Sequence, residues 1–126
     1  MNKWCVLPAL LWITFLVSCF HGDLYYIKAN GKLFQASRRR DNAITAAAID
    51  AHNFKSIEML KEMNLVTEEH TKEMQTYMEA LKNHKIEPQR PQEEYEESLK
   101  FYNKINNIAR SYGFGEFAPD FNPNKE

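Results

Sequence analysis

Cysteine is nearly absent from this chain, with two residues in 126, Cys5 and Cys19. So few thiols exclude zinc ribbons, CxxC redox motifs and a disulfide framework. Glycine is scarce too, with four residues, and no GxSxG, Walker-type or dinucleotide pattern occurs. A phosphate-cradling loop therefore has little material, and no catalytic constellation stands out. Charge of one sign is also lacking, since 16 Lys and Arg face 17 Asp and Glu for a formal net charge of −1. A near-neutral chain has no global field to draw in nucleic acid. The longest apolar run, Trp4 to Val17, covers 14 residues, short of the ~20 that a helix needs to cross the hydrocarbon layer.

What is present begins at the N-terminus. Lys3 precedes the apolar run, which leaves through Leu16-Val17-Ser18-Cys19 before polar residues begin. A cationic start, a short apolar stretch and a small-residue exit are the physical signature of a secretory signal. The four exit residues resemble the lipobox of bacterial lipoproteins, with branched apolar residues at −3 and −2, a small one at −1, and then cysteine. That resemblance is confined to these four positions. It implies a signal peptide over residues 1–18 and a lipid on Cys19 that attaches the mature chain to a membrane of the cell envelope. Phe20 at +2 implies, for a host of the enteric type, sorting to the outer membrane. Val17-Ser18-Cys19 also satisfies the ordinary signal-peptidase pattern, with cleavage after Cys19 and free secretion; the lipobox is the favoured reading, free secretion comes second and an uncleaved anchor last.

Removing residues 1–18 from 126 leaves 108, enough for one small domain with a modest core. Cys5 goes with the signal, so no intramolecular disulfide is expected and apolar packing must hold the domain together. Lys3 goes too, which leaves 15 basic against 17 acidic side chains, or −2.

The mature chain divides into an anchor linker (19–23), a helical domain with an N-terminal β-hairpin (24–113) and an aromatic tail (114–126). The expected fold is mainly α, three helices carrying that hairpin. Residues 24–36 place aromatic and β-branched runs on either side of Asn30-Gly31, the preferred pair for a type I′ turn. Asp41 or Asn42 is the expected cap of a first helix reaching about Asn64, although its apolar stripes fall out of phase near Ala51-His52-Asn53-Phe54. Thr67 is the expected cap of a second helix, on which His70, Met74, Tyr77, Met78 and Leu81 follow helical spacing. Pro91 suits the first turn of a third, Glu-rich at its start and stopped by Gly113. It presents Tyr95, Leu99, Tyr102, Ile105, Ala109 and Tyr112 on one side.

Candidate site residues are few. Arg38-Arg39-Arg40 is the densest positive patch and a candidate for contact with an anionic surface, against the simpler role of a solvated connector. Phe114, Phe117 and Phe121 lie in a tail bounded by Gly and Pro; they either fold back on the domain or dock into a partner. The methionines and tyrosines are read as core first and as a binding surface second. Glu69, His70 and Glu73 share a helical turn, yet a solvated helix start explains them better than a metal site. The sequence thus predicts a non-catalytic, exported, lipid-anchored envelope protein with an accessory, assembly or protective binding role. It would use no cofactor or metal, and its partners would be the membrane, through Cys19, and an envelope protein. The alternative is a freely secreted helical protein that binds an apolar ligand or a host target.

Overall fold

Residues 29–48 carry one continuous buried stripe: Ala29, Leu33, Ala36, Arg40, Ile44 and Ala48. Steps of three and four residues put all six on the same side of an α-helix. In the computed structural model they belong to α1, which spans Lys3–Ala51. The structure describes the backbone of residues 3–125 and the side chains of residues 22–125. The side chains of residues 1–18, where a signal peptide is expected from the sequence, and of Cys19 lie outside that description.

The expected hairpin is overturned. Residues 24–36 are helical throughout, and no strand occurs among the described residues. Asn30-Gly31 is a strong local turn signal, but it sits in mid-helix, with Gly31 at the surface. Glycine there costs about 1 kcal/mol relative to alanine. Burying Leu33 alone recovers roughly 1.5–3 kcal/mol, and Leu33 joins Ala29, Ala36 and Ile44 on one face only if the helix runs unbroken. Tertiary packing decides the conformation here, against local preference.

The first two helices also divide elsewhere than expected. α1 runs through Asp41 and Asn42 and ends at Ala51; His52 follows with a left-handed φ of 44°. Asn53 then caps α2 (Phe54–Lys82), its side-chain oxygen accepting from the Ser56 amide at 2.8 Å. The Ser56 hydroxyl accepts in return from the Asn53 amide at 3.2 Å, so the two complete a capping box. The break therefore falls where the stripes change phase. Thr67 caps nothing; its hydroxyl donates to the Met63 carbonyl at 2.8 Å inside α2.

α3 (Pro91–Ser111) starts on proline with Glu93 and Glu94 in its first turn, which suits the helix dipole. At its end the Phe114 amide donates to Ala109 and the Gly113 amide to Arg110, at 2.9 and 3.1 Å, with Gly113 at φ 85°. This is a Schellman ending, and it needs a left-handed residue at that point. A short 3-10 turn, Gly115–Phe117, leads into the tail.

Contact is most extensive between α1 and α3. The main core joins Ile44 and Ala48 of α1, Met59 and Met63 of α2, and Ile105 and Ile108 of α3, near the α1–α2 corner. A second cluster, Leu33, Ala36 and Tyr102, continues between α1 and α3. Among the described residues, no helix is long and apolar enough to cross a membrane.

Candidate functional site: a groove beside α2

After Met63 no residue of α2 is fully buried. The second half of the helix keeps its amphipathic spacing, but Met74 and Met78 are 50% and 59% exposed. The expectation that they form core fails for a geometric reason. The first half of α3 is engaged by α1 instead: Tyr95 packs against Tyr26 with ring centroids 5.7 Å apart, and Leu99 lies on the Leu33–Tyr102 cluster.

α2 is thereby left beside the α1–α3 pair, and a groove of 560 Å³ remains between them. Val66, Met74, Tyr77 and Met78 of α2 line it together with Phe101 of α3, and Asn30 contributes from α1. His70 stacks flat on Phe101, with centroids 4.0 Å apart and an interplanar angle of 8°. At another point the Tyr77 hydroxyl accepts from the Gln89 amide at 2.8 Å, which fastens the α2–α3 connector to the groove wall. Carboxylates line both long sides, Glu69 and Glu73 on α2 and Glu94 and Glu97 on α3, with Lys100 and Lys104 flanking Phe101 in sequence. Apolar walls with a few charged groups along the rim are what a binding groove requires. Among the described residues no three His, Cys, Asp or Glu side chains converge as a metal site would need.

A second polar feature lies on the opposite side of α3. Tyr102, Asn106 and Arg110 repeat every four residues and hold the tail like the teeth of a comb. The Tyr102 hydroxyl and the Asn106 amide both donate to the Pro119 carbonyl, at 2.8 and 2.9 Å. Arg110 donates to the Ala118 carbonyl at 2.9 Å and pairs with Asp120 at 2.8 Å. Lys32 of α1 adds a bond to the Pro123 carbonyl at 3.0 Å.

Arg40 is part of this arrangement, and the arginine triplet does not act as one patch. Arg40 is only 4% exposed; one guanidinium nitrogen donates to the Tyr102 carbonyl at 2.8 Å and to Asn106 at 3.1 Å. The guanidinium lies 4.2 Å from the Tyr102 ring centroid and pairs with Asp41 at 3.0 Å. Arg38 and Arg39 are at the surface, Arg38 with its charge 5.9 Å from the Phe34 ring centroid. Consecutive positions on a helix point about 100° apart, which is why one of three is drawn into the core.

Phe114 and Phe117 rest on the main core, and Phe121 packs against Tyr95 and Tyr102. All three are half-buried. Asn30, Asn106 and the depth of Arg40 are not visible in a linear reading. The i, i+4, i+8 recurrence of Tyr102, Asn106 and Arg110 is the signal that could have pointed to the tail clasp, and the sequence reading missed it. No family model, curated protein or solved structure matches the chain.

Proposed function

We propose that this chain is exported, anchored by lipid at Cys19, and active at the cell envelope as a binding protein with an accessory, assembly or protective role. One observation carries this reading: the apolar run from Trp4 to Val17 leads directly into Leu16-Val17-Ser18-Cys19. Lipoproteins of that type carry three acyl chains, more than the two membrane signals that stable anchoring takes. The groove beside α2 supplies the means of binding, because it leaves methionine and aromatic surface uncovered on a domain small enough to need its apolar area buried.

Mass spectrometry of the mature N-terminus tests the anchor. Acylated Cys19 as first residue, with palmitate labelling lost in Cys19→Ser, is the expected result. The competing reading, free secretion, rests on Val17-Ser18-Cys19 as a plain cleavage site. An unlabelled chain that starts at Phe20 selects it.

A further inference from the structure

We propose that the groove beside α2 docks a short basic, amphipathic helix supplied by another protein. This rests on the groove being the binding element, and it is independent of the anchor at Cys19. Length comes first: the α2 side runs from Val66 to Met78, which at 1.5 Å per residue is about 18 Å, or three helical turns. Two helices already form the sides, and a third laid between them extends the bundle packing that the rest of the chain uses.

The chemistry of the walls follows. Met74, Met78 and Phe101 offer unbranched, polarizable and aromatic surface that adapts to Leu, Ile or Phe on an incoming stripe. Charge then selects the partner. Glu69 and Glu73 rim one side and Glu94 and Glu97 the other, against Lys100 and Lys104 alone. Four carboxylates facing two ammonium groups, spread over both rims, complement a ligand with Lys or Arg on each flank of an apolar stripe. The same carboxylates repel an anionic lipid surface.

Fluorescence anisotropy on the full chain tests the assignment with two labelled peptides of about 14 residues. Both place leucine on one helical face; one carries lysine on the other face and its counterpart carries glutamate. The lysine peptide is expected to bind at least about tenfold more tightly at low salt, with the preference shrinking toward unity near 500 mM salt. Met74→Gln combined with Met78→Gln changes side chains that are already exposed, and should weaken binding about tenfold with unchanged circular dichroism. Glu73→Lys combined with Glu97→Lys, also at exposed positions, should reverse the preference between the peptides. Equal affinity for both peptides overturns the assignment. So does lysine-peptide binding that survives both double variants, because that is adsorption elsewhere on the surface. Concentration-dependent dimers in sedimentation that Met78→Gln dissolves would give the groove to a second copy of the chain and also overturn it. An unlipidated Cys19 together with selective peptide binding would refute the anchor and leave the groove assignment standing.

Discussion

Gly31→Ala separates a helix from a hairpin by the sign of its effect. In α1, Gly31 is at the surface, and a Cβ added there meets nothing within 4 Å. No steric penalty opposes the change, so alanine contributes its full advantage in a helix interior, about 0.8–1 kcal/mol. For a domain of this size that corresponds to a rise in melting temperature of roughly 3–5 °C. In a type I′ turn the same position needs a positive φ, and alanine there would destabilise by roughly 1 kcal/mol or more. Gly113→Ala provides the internal contrast. Its φ is 85° and its added Cβ meets only the Lys55 ammonium at 3.7 Å, so the expected loss of about 1–2 kcal/mol is conformational. Urea and thermal denaturation of the full chain, followed by far-ultraviolet circular dichroism, measure both variants. Stabilisation by Gly31→Ala with destabilisation by Gly113→Ala is the expected pair. A stability loss in Gly31→Ala refutes the reasoning that α1 passes unbroken through Asn30-Gly31.

Truncation after Gly113 removes half-buried Phe114, Phe117 and Phe121, buried Ala118 and the carbonyl acceptors of the comb, and should cost on the order of 3 kcal/mol or more; an unchanged melt would mean the tail does not pack. Asn106→Ala should cost about 2–3 kcal/mol, since Asn106 is fully buried and both holds Arg40 and donates to Pro119. A urea midpoint close to wild type would remove Asn106 from the network. The Tyr112 hydroxyl donates to Glu62 at 2.7 Å, which raises its pKa, and burial does the same for Tyr95 with help from Tyr25 and Tyr26. A folded pKa above the unfolded value means that this stabilisation is complete below about pH 10 and is lost as pH rises through the folded values. Unfolding free energy should thus fall on the alkaline side, less steeply in Tyr112→Phe, and identical profiles for the two proteins would contradict the Glu62 contact.

The helical character of the chain and the limits of α3 were legible in the linear sequence. Pro91, the Glu-rich first turn and Gly113 act through backbone chemistry within a few residues, and the Tyr95–Tyr112 stripe needs only a 3.6-residue period. The change of phase near Asn53 was legible too, because the apolar stripes on either side of it need only helical periodicity, whereas the Asn53–Ser56 capping box that makes the break was missed. Three features were settled by tertiary structure alone. Asn30-Gly31 carries a turn preference worth about 1 kcal/mol, and the buried stripe from Ala29 to Ala48 overrides it only because α3 is there to receive it. Arg40 is indistinguishable in sequence from Arg38 and Arg39, yet rotation along α1 turns it toward Tyr102 and Asn106. Met74 and Met78 have the spacing of core residues, and they line an open groove because α1 already occupies the face of α3 that would have covered them. Periodicity marks which side of a helix is apolar; which neighbour covers that side is decided by competition among the helices for the same surfaces.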